Sequence, residues 1–147
     1  MDMPRKSLVT LLVLAPMLLA GCRFFQVPPE SQAVVTKYFQ TVCEGRLEDA
    51  LTLYSPRFYE HTSRDKWRSM LEKIKQKLGT LQSYELTGWR VNRLAVLPYP
   101  GTYSILTYRV KYAKYPADET ITVYQPATGG EPEILGHNIN SEGFILE

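Results

Sequence analysis

The chain reads as α+β: three N-terminal helices packed on a strongly curved four-stranded antiparallel sheet. Three observations predict it. Up to Gly79 the apolar side chains recur at helical spacing; after Gly79 they alternate with period two. Glycine and proline sit at the joints between these segments. The first two predicted strands are far longer than the usual five or six residues, and long antiparallel strands twist and curl. Three helices covering the concave face of such a sheet make a half-open cone.

The N-terminus comes before this domain. Arg5 and Lys6 form a basic start, and Leu8 to Ala20 is apolar apart from Thr10. As a helix that run is about 20 Å long, too short for a bilayer core of about 30 Å. A charged start, a short apolar stretch and small residues at its end form a signal peptide over residues 1–21. Leu19-Ala20-Gly21-Cys22 then resembles the lipobox of bacterial lipoproteins. That resemblance implies a diacylglycerol on the Cys22 thiol, cleavage before Cys22, and an acylated (palmitate-bearing) new amine. It implies a lipid-anchored protein of the cell envelope, partnered with the membrane through the lipid on Cys22. Arg23 stands where an Asp would favour the inner membrane, which points to the outer membrane, facing the periplasm. Residues 22–30 are a lipidated tether, stiffened by Pro28-Pro29. Phe24 and Phe25 lie close to the bilayer surface on this reading. Residues 31–147 form one domain.

Helix one is expected from Glu30 to Glu44, with Val34, Val35, Tyr38, Phe39 and Val42 on one face and Gly45 ending it. Helix two, Arg46 to Tyr54, places Leu47, Ala50, Leu51 and Tyr54 together, and Pro56 stops it. Arg57 to Glu60 can add a further turn. Helix three starts at Thr62 as N-cap, with Asp65 three residues on. Trp67, Met70, Leu71, Ile74 and Leu78 form its buried stripe, and Gly79 its end. Strand one covers Ser83 to Ala95. Its apolar phase steps from Leu86 to Trp89 across Gly88, the mark of a β-bulge. Pro100-Gly101 turns the chain into strand two, Thr102 to Lys114, with Leu106, Tyr108, Val110 and Tyr112 in one phase. Strand three is Glu119 to Gln125 and strand four Glu133 to Asn140.

The order ααα-ββββ resembles the nuclear transport factor 2-like, or cystatin-like, superfamily. Trp67, Leu71, Leu78-Gly79, Leu81 and Gly136 are similar to a group of uncharacterised bacterial lipoprotein domains of that fold, over Ser31 to Ile139. The fold carries enzymes, binders and scaffolds alike, so it fixes no activity.

Composition excludes some classes. Mature residues 22–147 hold 15 basic and 14 acidic side chains, which argues against nucleic acid as a partner. Residues 64–78 hold six basic and two acidic side chains, while residues 117–147 hold six acidic and none basic. Such a dipolar surface is a solvated face first, and a docking patch for lipid phosphate or an acidic partner second. Cys43 is the one remaining thiol and falls on the apolar stripe of helix one, so it is expected in the core. The two histidines, His61 and His137, have no neighbours at metal-ligand spacing. No phosphate loop or nucleophile elbow is present, and no cofactor is implied. The candidate ligand pocket is aromatic: Trp67, Tyr108, Tyr112 and His137 at the cone mouth.

These observations predict a binding or assembly module for a protein, the cell wall or a small apolar ligand. The alternative is a small ketosteroid-isomerase-like enzyme. That needs an inward-facing carboxylate or histidine in an open pocket, and plugging by Trp67 and Tyr108 would oppose it. Homodimerisation through the outer sheet face is a third expectation.

Overall fold

The computed structural model describes residues 26–146. Helices α1 (Pro29–Cys43), α2 (Leu47–Leu51), α3 (Pro56–His61) and α4 (Arg64–Leu78) precede strands β1 (Leu81–Leu94), β2 (Gly101–Tyr112), β3 (Pro116–Pro126) and β4 (Glu133–Asn140). The fold is α+β with four helices, one more than expected. The extra one is α3, where only a single further turn at Arg57–Glu60 was expected. Pro56 does not only stop α2; it opens α3 at the first helical position, with Ser55 capping through Phe58 N–H. The signal peptide, Cys22 and the first part of the tether lie outside the described residues. No helix among the described residues is long and apolar enough to cross a membrane.

Local chemistry accounts for the boundaries. Pro29 sits at the start of α1, where its missing N–H costs nothing. Gly45, at φ +73°, closes α1 in a left-handed conformation that a side chain would resist. The cap of α4 is Ser63, not Thr62: the Ser63 hydroxyl accepts from Lys66 N–H, while Thr62 ends α3. With the cap shifted by one, Asp65 no longer stands three residues beyond it, and the expected capping box does not form. Glu48 of α2 accepts from Arg64 and pairs with Arg68, tying α4 to α2 at the surface.

The strands form one open antiparallel sheet in the order β1-β2-β3-β4. The register slips between Leu86 and Gly88, placing the bulge where the sequence put it. A second slip lies in β4: Thr122 pairs with Gly136 and Val123 with Ile134, so Leu135 is the extra residue. That bulge matters for the site, because it turns both Ile134 and His137 inward.

The core lies between the helices and one face of the sheet. Val35, Tyr38 and Phe39 of α1, Leu51 of α2, Trp67, Leu71 and Leu78 of α4, and the 106-108-110-112 phase of β2 are all buried. Met70, expected on the buried stripe of α4, is 41% exposed. Cys43, also expected in the core, is exposed. Helix α1 turns Thr41 inward at that level, and Cys43 falls at the rim beside β1.

Candidate functional site

Strand β3 buries Ala117, Glu119, Ile121 and Val123 on one face, since alternate side chains share a face. The pattern drives a glutamate into the centre of the core. Glu119 is 0% exposed. Tyr112, at the end of β2, donates its hydroxyl to Glu119 Oε1 at 2.5 Å. His137 of β4, its side chain wholly buried, places Nε2 2.9 Å from Glu119 Oε2. Its Nδ1 lies 2.7 Å from the Tyr54 hydroxyl. Tyr54 is held there by backbone bonds to β4 on both sides: Ser55 N–H donates to Ile134 C=O, and Ile134 N–H donates to Leu53 C=O. Around this chain pack Tyr38, edge-on to His137 at 5.1 Å between ring centres, and Trp67 at 5.6 Å.

One arrangement of the protons leaves no donor over. With the imidazole neutral and its proton on Nε2, Tyr54 donates to Nδ1, His137 donates to Glu119, and Tyr112 donates to the other carboxylate oxygen. Every polar atom of the chain then has a partner, which a buried network requires. Burial, the largest cause, pushes the phenols of Tyr38, Tyr54 and Tyr112 well above their ordinary value, and the neighbouring Glu119 charge adds to it. The Tyr54 and Tyr112 hydroxyls thus stay protonated and serve as donors. Burial likewise pushes Tyr108 up to about 12. Its hydroxyl and the Trp67 indole N–H are buried without hydrogen-bond partners. The Tyr54–His137–Glu119–Tyr112 chain has the parts of an acid–base relay, yet Glu119 and the imidazole have no solvent-exposed surface on which a substrate could react.

One edge of the network does reach open space. A cavity of about 270 Å³ opens between α1, α2, α4 and the start of β1. Tyr38, Val42, Leu47, Leu71, Ile74 and Tyr112 line it, with Cys43, Glu72 and Lys75 among its polar groups. Cys43 approaches Leu81 C=O at 3.7 Å. Partial burial, and then the Glu44 carboxylate, raise its thiol pKa. A shallower groove of about 370 Å³ runs along the other side of α4, between Trp67, Met70, Ile74 and Phe144. His137 borders it through its backbone alone, its side chain being sealed.

Of the four residues expected to form a pocket, Trp67, Tyr112 and His137 meet around Glu119. Tyr108 stands opposite Glu119 across β2 and β3, but its ring packs on Phe39 and Tyr84 away from the cavity. Only Tyr112 of the four lines the α1–α2–α4 cavity. Glu119 and Tyr54 were missed by the sequence reading. The signal for Glu119 was its place in the apolar phase of strand three, between Ala117 and Ile121. Among the described residues no group of His, Cys, Asp and Glu side chains is placed to hold a metal.

Fold and site together define a small α+β domain with a sealed polar network under an apolar cavity. The chain belongs to a family of proteins of unknown function, DUF4019, whose sequence model matches residues 34–130. The match takes in Tyr54, Tyr112 and Glu119 and stops short of His137. No curated protein and no solved structure matches the chain.

Proposed function

We propose that this is a lipid-anchored lipoprotein of the bacterial cell envelope, attached through Cys22, whose domain binds a small apolar ligand or an apolar side chain of a partner. The cavity beside Tyr112 carries this reading. Its walls are aliphatic and aromatic, and its volume lies near the lower end of small-molecule sites. The helices over the sheet suit the cone of the nuclear transport factor 2-like superfamily, in which a ligand enters between helices and sheet. The enzyme alternative needs Glu119 or His137 to meet a substrate, and their complete burial weighs against it. Tyr112 serves instead as a wall of the binding site, held from behind by Glu119, with His137 and Tyr54 extending the network away from the cavity.

Two experiments test the reading. Titration with the apolar fluorophore N-phenyl-1-naphthylamine is expected to give saturable enhancement that Val42→Phe, which fills the cavity, reduces at least tenfold in affinity. A wild type without saturable enhancement, or a variant that binds equally well, refutes the ligand site. Palmitate labelling with membrane fractionation tests the anchor. Label and membrane association are expected to disappear in Cys22→Ala; an unlabelled, soluble wild type refutes the anchor.

A further inference from the structure

We propose that the tip of the β1–β2 hairpin, Leu94 to Tyr99, is a membrane-contact loop seated in the same bilayer that holds the lipid on Cys22. This inference rests on the anchor reading above. Val96 is 76% exposed and Leu97 80%, with Leu94 and Tyr99 about half exposed beside them. Exposed apolar side chains scattered singly need no explanation, but four within six residues at one hairpin tip form a patch.

The loop is held in place. Tyr103 donates to Tyr99 C=O at 2.9 Å, and Tyr124 donates to Pro100 C=O at 3.1 Å. The Arg57 guanidinium lies between the rings of Tyr99 and Tyr124, 4.1 and 4.2 Å from their centres. These contacts fix the C-terminal side of the loop, and Val96 and Leu97 stand exposed beside it.

The occupant follows from where the chain enters the domain. Gln26 and Val27 lie against Trp89 and Arg93 of β1, and Ser31 bonds Ser104 of β2 at 2.9 Å. The N-terminal entry and the hairpin tip therefore share one end of the molecule. Three residues separate Cys22 from Gln26, and the four steps between them reach at most about 14 Å. A bilayer holding the Cys22 lipid is thus kept at the tip end, within reach of Val96 and Leu97. Charge agrees: residues 86–117 contain no carboxylate, and exposed Arg90 and Arg93 precede the tip, suited to anionic headgroups. Apolar tip, flanking arginines and a short lipidated leash together make an interfacial contact, whose apolar side chains enter about 5–10 Å into the headgroup boundary. The far end, where the cavity opens beside Cys43 and Leu81, is then turned away from the membrane.

The test uses the full, natively lipidated protein with Cys43→Ser, so that Leu97→Cys or Lys114→Cys carries a single environment-sensitive fluorophore. Lys114 lies in the β2–β3 turn at the opposite end. In phosphatidylethanolamine–phosphatidylglycerol vesicles, the expected result is blue-shifted emission and at least fivefold weaker iodide quenching at 97 than at 114. Adding Val96→Asp is expected to bring quenching at 97 up to the level at 114. Equal quenching at both positions, in a protein that floats with the vesicles, overturns the proposal and leaves the anchor standing. A protein that neither takes up palmitate nor floats overturns both.

Discussion

Replacing Glu119 by Leu asks whether the buried carboxylate supports the fold or is kept at the fold's expense. The substitution removes the acceptor of two buried donors, Tyr112 O–H and His137 Nε2–H. A tautomer change in His137 would move its proton to Nδ1, but Tyr54 would then lose its own acceptor. The number of orphaned donors stays at two. Each costs about 1–3 kcal/mol. Leucine escapes the desolvation cost of a buried carboxylate, which offsets part of this. We expect a net loss of about 3 kcal/mol, which lowers Tm by roughly 12 °C in a domain of this size. Glu119→Gln keeps one acceptor and sets its amide N–H against the other donor, so it falls between wild type and Glu119→Leu. Adding Tyr112→Phe to Glu119→Leu removes one orphan and restores about 1–3 kcal/mol. Urea denaturation of the series reads these differences. A Glu119→Leu protein at least as stable as wild type would refute the structural assignment. A carboxylate retained against stability is the signature of a working residue, and the enzyme reading would then gain the ground.

Further outcomes follow from the same geometry. The phenols of Tyr38, Tyr54, Tyr108 and Tyr112 all titrate above their unfolded value near 10. A raised native pKa means the native state holds the proton more tightly, so this stability is complete below pH 10 and is lost as pH rises through the raised values. Each group contributes about 1.4 kcal/mol per pH unit in that window, so phenolate absorbance of these four should appear only together with loss of circular dichroism. Smooth ionisation of all ten tyrosines in a folded protein would contradict their burial. Gly101→Ala drives a Cβ into the Gln125 carbonyl oxygen and should cost about 2–3 kcal/mol. Gly88→Ala, whose nearest neighbour is at 4.0 Å, should be close to neutral by thermal melting. Cys43 should react with an aromatic disulfide reagent more slowly than a free thiol at pH 7, speed up with rising pH, and be shielded by N-phenyl-1-naphthylamine; a rate unchanged by the probe would separate the thiol from the binding cavity.

Much of the architecture was legible because each element announces itself locally. Gly45, Pro56 and Gly79 divide the helices, and the step from Leu86 to Trp89 located the first bulge. The Leu106-Tyr108-Val110-Tyr112 phase named the inward face of β2 correctly. Failures came where one residue had two local roles or where tertiary contacts chose between them. Thr62 and Ser63 both suit a cap, and only the end of α3 assigns the first to one helix and the second to the next. Leu135, His137 and Ile139 alternate in sequence, but the bulge at Leu135 hands the buried position to Ile134. Cys43 fits the apolar stripe of α1 and still emerges at the rim, because Val42 and Thr41 occupy the inward side at the last turn. Glu119 was legible in principle: a carboxylate in phase with Ala117, Ile121 and Val123 must be buried. The chain that extends from it was not, since Tyr54 and His137 are 83 residues apart and the Tyr54–Ile134 bridge brings them together.

That bridge also determines what the domain can and cannot do. It clamps the end of α2 to β4 and carries the Tyr54 hydroxyl to His137. The helical layer therefore cannot lift from the sheet at this point without breaking two backbone bonds as well as the side-chain network. Access to Glu119 by a breathing motion would begin at the other end, where Tyr112, bonded to Glu119, lines the cavity. Any ligand that fills the cavity packs against Tyr112 and reinforces its bond to Glu119, closing that route further. Ligand binding and exposure of the carboxylate are thus opposed in this geometry. An occupied cavity stabilises the sealed network, whereas catalysis by Glu119 would require the occupant itself to break it. Slower hydrogen exchange of β2 and β3 on binding N-phenyl-1-naphthylamine is the expected consequence, and faster exchange there would reverse the argument.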